Sequence, residues 1–183
     1  MIANVLTIAG SDPSGGAGIQ ADLKTFSALG TYGTSVITAL TAQNTCGVAG
    51  VHGVPVAAIR QQLEHLLADV HIDAVKIGMV ASRDVAQTIA DVLQQRRPRW
   101  IVLDPVMVAK SGDPLIDPDA VAALRDHLLP LATVLTPNLP EAARLAARPV
   151  AWDEAQVVAQ GETLRAMGPR WVLMKGGHAE DAV

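Results

Sequence analysis

The sequence predicts an α/β protein whose mainly parallel sheet carries helices on both faces, and two observations lead there. Short β-rich apolar runs alternate along the chain with segments whose apolar residues recur at i, i+3, i+4. The strand runs are continuously apolar rather than alternating, as expected of strands buried on both sides. Strands separated by helices imply right-handed crossovers and parallel neighbours. No linker, repeat or low-complexity stretch divides residues 1–183, so one domain is expected.

The predicted strands are residues 5–9, 36–41, 74–77, 100–103, 133–136 and 171–174. The predicted helices are residues 17–29, 57–70, 83–96, 118–128, 140–147 and 153–167; Ile59, Leu63, Leu66, Leu67 and Val70 show the spacing in the second. Ser82, Asp117 and Asp153 stand where N-caps belong, and Pro118 and Pro140 suit a first helical turn. In such a sheet, ligands bind outside the carboxyl ends of the strands, where loops converge. The residues following the strands are polar or glycine: 10–18, Ala42-Gln43-Asn44, Gly78-Met79, Asp104-Pro105-Val106, Pro137 to Glu141, and Lys175 to His178.

Composition narrows the function. Half of the 183 residues are hydrophobic and 17% are charged, with a net charge of −4. Only Arg96, Arg97 and Arg99 cluster, as a solvated helix end, so no footprint for nucleic acid or an anionic membrane is present. The single cysteine excludes an internal disulfide and a cysteine-based zinc site; Cys46 is expected to be a small apolar filler. No apolar run approaches bilayer-spanning length and the N-terminus lacks a signal-peptide pattern, so a cytoplasmic location is expected. His52, His65, His71, His127 and His178 show no metal-ligand spacing.

The first glycine loop has three readings. Gly16-x-Gly18-x-x-Ala21 after a strand matches the relaxed dinucleotide fingerprint, but no Asp or Glu lies between Asp22 and Glu64 to hold a ribose. Gly10 and Gly15 have the first spacing of a P-loop, yet Gly16 and Ala17 stand where its lysine and hydroxyl belong. What remains is a loop that brings backbone close to a small flat ligand, with Asp22 about a turn into the helix, or a plain tight turn with Asp22 exposed.

Residues 7–22, Thr41-Ala42-Gln43-Asn44-Thr45, Lys76 to Met79, Leu103 to Met107, Thr136 to Glu141 and Met174 to His178, taken in order, resemble the hydroxymethylpyrimidine/phosphomethylpyrimidine kinases of thiamin biosynthesis, members of the ribokinase-like superfamily. The resemblance implies a ribokinase-like fold and ATP-dependent phosphorylation of a pyrimidine hydroxymethyl group, then of its monophosphate. It implies that Gly10, Asp22, Gln43, Met79 and Val106 line the pyrimidine pocket. A carboxamide such as that of Gln43 suits the amine and adjacent ring nitrogen of an aminopyrimidine. Around ATP, the resemblance places Asp104 and Glu141 near Mg²⁺ through water, Asn138 in the same polar network, and Lys175 near the phosphates. It also implies a homodimer.

Lys110-Ser111-Gly112-Asp113 is expected to close over the phosphates or simply to connect elements. The family's Gly-Thr-Gly-Cys loop, which holds the transferring phosphoryl charge, has no counterpart among residues 1–183, so the chain is expected to stop before its catalytic loop and not to turn over as it stands. Two alternatives fit the same residues: a pyridoxine or pyridoxal kinase, and a non-catalytic binder of pyrimidine or vitamin B6.

Overall fold

A computed structural model of the chain describes residues 2–108 and 118–176. The main strands are β1 (Asn4–Ala9), β2 (Tyr32–Ile37), β5 (Ala74–Ile77), β6 (Trp100–Leu103), β7 (Val134–Leu135) and β8 (Trp171–Val172). They form a parallel sheet in the order β2-β1-β5-β6-β7-β8. A separate antiparallel ribbon pairs β3 (Ala39–Gln43) with β4 (Val48–Gly53), with a bulge between Ala42 and Gln43. The helices are α1 (Gly18–Ala28), α2 (Val56–Asp69), α3 (Arg83–Arg96), α4 (Pro118–Ala123), α5 (Leu139–Ala146) and α6 (Glu154–Arg165).

Leu6 and Ile8 of β1, Ile77 of β5 and Leu103 of β6 are fully buried with Ile59 and Leu63 of α2 and Ile89 and Leu93 of α3. Each such side chain stabilises the fold by about 1.5–3 kcal/mol relative to exposure. Alternate residues face the other way. Thr7 and Lys76 lie side by side in register there, under α1. Ser82 caps α3 by accepting from the Val85 amide, and Asp153 caps α6 by accepting from Gln156.

Three expectations are corrected. The expected strand 36–41 is two strands: the Thr38 amide still donates to Ala9 O, its hydroxyl donates to Met79 O, and the chain then leaves the main sheet at Ala39 to pair with Gly53. β4 is absent from the sequence reading because Gly50 and Gly53 break its apolar pattern. The helix from Pro118 widens to a π-turn over Leu124–Leu128 and tightens to a 3₁₀ turn over Leu129–Leu131, where Pro130 lacks an amide donor. Cys46 is exposed, not a core filler, because it sits on the β3–β4 turn where Asn44 Oδ1 accepts from the Cys46 and Gly47 amides. The Asp117 cap, the Lys110–Asp113 loop, Gly177 and His178 lie outside the described residues.

Candidate functional site

From β1 the chain passes through α1 to β2 on one side, and after the ribbon and α2 it returns to β5 on the other. The crevice at the carboxyl ends of β1 and β5 is therefore the topological switch point. Beyond the strand ends the ladder continues through Gly78 N to Ile8 O, Asp104 N to Ile77 O, Thr136 N to Leu103 O and Lys175 N to Pro137 O. These bonds hold the rim residues in fixed order.

At the β1 end, the buried Asp12 organises the glycine loop. Its carboxylate accepts from the Ser14 amide and hydroxyl and from the Gly16 and Ala17 amides at 2.7–3.0 Å. Burial works to raise its pKa, but these hydrogen bonds outweigh that and hold it below the ordinary carboxylate value. Gly18 adopts φ +56° and touches the Gly10 carbonyl, which accepts from the Ile19 amide at 3.0 Å. Gly10 is buried, and a Cβ there would come within 2.5 Å of Met79 Cε, so the expected pocket residues Gly10 and Met79 are in direct contact.

Gln43 lies on the ribbon rather than at the end of a main-sheet strand. It shares a strand face with Thr41, whose hydroxyl donates to Ser11 O at 2.8 Å, so that face looks toward the glycine loop. Asp22 is not simply exposed. Its Oδ2 accepts from the Thr7 hydroxyl at 2.6 Å and from Lys76 Nζ at 2.9 Å. Val106 is half-buried in the turn closed by its amide to Asp104 O.

The second cluster gathers at the ends of β6, β7 and β8. Asp104 Oδ1 accepts from Lys175 Nζ at 2.8 Å and from the Thr136 hydroxyl at 3.2 Å, and the Glu141 carboxylate lies 3.9 Å from the same ammonium. Asn138 and Glu141 form a capping box at the start of α5: the Asn138 side chain accepts from the Glu141 amide, and Glu141 Oε2 accepts from the Asn138 amide, both at 2.8 Å. The backbone bridge between Asn138 and Lys175 locks α5's first turn to the lysine. The structure thus brings Asp104, Asn138, Glu141 and Lys175 together. Burial is the main reason that the Glu141 carboxyl titrates above its ordinary value, against the opposing Asn138 amide and Lys175 charge.

A family model described as phosphomethylpyrimidine kinase matches residues 12–183. The chain belongs to this family. A hydroxymethylpyrimidine/phosphomethylpyrimidine kinase of Salmonella typhimurium is 59% identical over 179 residues, covering 98% of this chain and 67% of that protein. The Escherichia coli protein of the same name is 57% identical, covering 97% and 67%. The chain therefore spans about two thirds of the length of these curated relatives. A crystal structure of the phosphomethylpyrimidine kinase of Clostridium difficile superposes with a TM-score of 0.92 at 48% identity, covering 99% of this chain and 78% of that one. Pyridoxal kinase of Staphylococcus aureus, in complex with pyridoxal, superposes at 0.90 with 36% identity, covering 99% and 65%. The fold is that of the ribokinase-like kinases, and the family's members are small-molecule kinases.

Sequence reasoning gave no part to Thr7, Thr136 or Lys76. A lysine inside an otherwise apolar strand was the available signal for Lys76. Glu141 carries a measurable consequence. Its folded-state pKa is raised, so keeping it ionised costs stability as pH climbs from the ordinary 4.5 through the folded value, and the cost is absent below 4.5. Glu141→Gln retains an acceptor for the Asn138 amide and removes the buried charge. By calorimetry, the variant is expected to melt above the native protein at pH 8, with the gap closing as pH falls to 4.5.

Proposed function

We propose that the full-length protein transfers the γ-phosphate of ATP to the hydroxymethyl group of 4-amino-5-hydroxymethyl-2-methylpyrimidine, and then a second phosphate to the monophosphate, as a cytoplasmic homodimer of thiamin biosynthesis. The observation that carries this is the 59% identity over 98% of the chain to a kinase named for both substrates. The site chemistry supports it. Gly10 admits a flat ring against backbone, Met79 and Val106 supply apolar walls, Gln43 offers a donor and an acceptor to the aminopyrimidine edge, and Asp22 accepts from a substrate donor.

In each transfer the acceptor oxygen forms a bond to the γ-phosphorus while the bond to the ADP oxygen breaks, and the acceptor loses its proton. Such a reaction needs positioning and charge stabilisation. Lys175, with Asn138 beside it, provides a compact positive charge for the phosphates. Magnesium, when bound with ATP, supplies neutralisation of phosphate charge. The donor set fits it: Asp104 and Glu141 would offer hard carboxylate oxygens of the kind this cation prefers.

Leu40, exposed on the outer face of the ribbon, offers apolar surface for the homodimer, which light scattering tests. Among the described residues no helix is long and apolar enough to cross a membrane. The decisive experiment compares kcat/KM of full-length protein for the pyrimidine, its monophosphate and pyridoxal in an ATP-coupled assay. Preference for the two pyrimidines is expected. No turnover of either pyrimidine overturns the reading, and a preference for pyridoxal replaces it with a vitamin B6 kinase.

A further inference from the structure

We propose that Lys76 is a positioning residue: with Thr7 it pins the Asp22 carboxylate by a single oxygen, so that the other oxygen is presented to the pyrimidine. This rests on the pyrimidine reading of the site.

Lys76 is an unusual occupant of its place. β5 is flanked on both sides by strands, and the neighbours of Lys76 along the chain, Val75 and Ile77, are buried. A lysine ammonium taken out of water needs a partner. That partner is Asp22, at 2.9 Å, with only 23% and 17% of the two side chains exposed. Thr7, directly in register with Lys76 on β1 and fully buried, donates its hydroxyl to the same Oδ2 at 2.6 Å. Two donors on one carboxylate oxygen fix the torsion of the group as well as its place.

The consequence lies on the opposite oxygen. Among the described residues both donors reach Oδ2 and no hydrogen bond reaches Asp22 Oδ1, which leaves that oxygen to serve a ligand donor in the proposed arrangement. Gly78 completes the arrangement at the rim. A Cβ there would lie 2.9 Å from Lys76 Nζ and 3.0 Å from Ala9 Cβ, so the absence of a side chain gives the ammonium its place directly beneath the loop that carries Met79. Asp22, Thr7, Lys76 and Gly78 thereby form a braced acceptor next to the Gly10–Met79 contact. An ion pair that merely tied α1 to the sheet would also hold Asp22, but its loss would act on melting temperature rather than on affinity for the pyrimidine.

The test measures calorimetric dissociation constants for 4-amino-5-hydroxymethyl-2-methylpyrimidine, with KM and kcat, on full-length protein. Lys76→Met is expected to weaken binding and raise KM by about tenfold while kcat at saturation stays within about twofold, the scale of one charge-assisted hydrogen bond. Lys76→Met in an Asp22→Asn background is expected to weaken binding no further, because its effect passes through that carboxylate. Thr7→Val, which removes one donor and keeps the charge pair, is expected to cost about threefold and carries the test alone where Lys76→Met fails to fold. Native affinity in a folded variant, or full additivity with Asp22→Asn, overturns the positioning role while leaving the pyrimidine reading intact. Failure of the native protein to bind the pyrimidine overturns that reading and this inference with it.

Discussion

Lys175→Ala in the full-length protein is expected to lower kcat/KM for ATP by about 10²–10³-fold, the usual loss when one preorganised charge-stabilising donor is removed from a transfer site. Lys175 is held from both ends. Its amide donates to Pro137 O, continuing the parallel ladder, and its Nζ lies 2.8 Å from Asp104 and 3.9 Å from Glu141. Removing the ammonium takes away the compact charge that we propose for the phosphates. It also leaves the Asp104 and Glu141 carboxylates without the cation they share, so the region proposed for the nucleotide becomes more negative.

The same substitution should hardly change folding. The Lys175 side chain is 41% exposed, and ion pairs at that exposure contribute about 0–1 kcal/mol. Near-native melting with a collapsed rate is therefore the expected signature. Lys175→Arg is not a rescue by default, since a planar guanidinium is longer and forked where the site holds a point charge. Steady-state kinetics over a range of ATP concentrations checks this, and activity retained within about threefold removes Lys175 from the nucleotide half of the site.

How far these features could be read beforehand depended on sequence distance. The bounds 74–77, 100–103 and 83–96 are those observed, because each element is short, apolar at the right period and bracketed by punctuation such as Ser82 or Pro98. The ribbon escaped because Thr38, β-branched and flanked by apolar residues, looks like mid-strand. The bond that marks the break runs to Met79, 41 residues away. Gly10, Asp22, Asp104, Glu141 and Lys175 were nameable as candidates from family resemblance, but their pairings were not. Asp22 meets Lys76 across 54 residues and Asp104 meets Lys175 across 71, and only the strand order brings them together. The capping box that Asn138 and Glu141 form was not expected, because the predicted helix began at Pro140 and left Asn138 outside it. It shows these two residues spending part of their hydrogen-bonding capacity on the start of α5, so whatever they do for a nucleotide is done from a fixed backbone.

Gly18→Ala is expected to be among the most damaging single-methyl additions in the chain, and Gly30→Ala supplies its control. Both glycines have positive φ, +56° and +72°, so alanine at either strains the backbone by about 1–3 kcal/mol. At Gly30 a Cβ would meet nothing within 4 Å, and that strain is the whole effect. At Gly18 the Cβ would collide with the Gly10 carbonyl oxygen and lie 3.2 Å from the Asp12 amide, both backbone atoms without a rotamer to escape into. Relief requires the carbonyl to move, which breaks its bond to the Ile19 amide at the first turn of α1 and shifts Gly10 against Met79. Loop, helix start and pocket wall would give way together. The expected loss is about 3 kcal/mol or more, a fall in melting temperature of roughly 6–12 °C for a protein of this size, against about a third of that for Gly30→Ala. Affinity for the pyrimidine should fall in Gly18→Ala and stay native in Gly30→Ala. Equal melting temperatures for the two variants would show that the loop yields to the methyl group, and that the contact between Gly18 and Gly10 does not set the shape of the pocket.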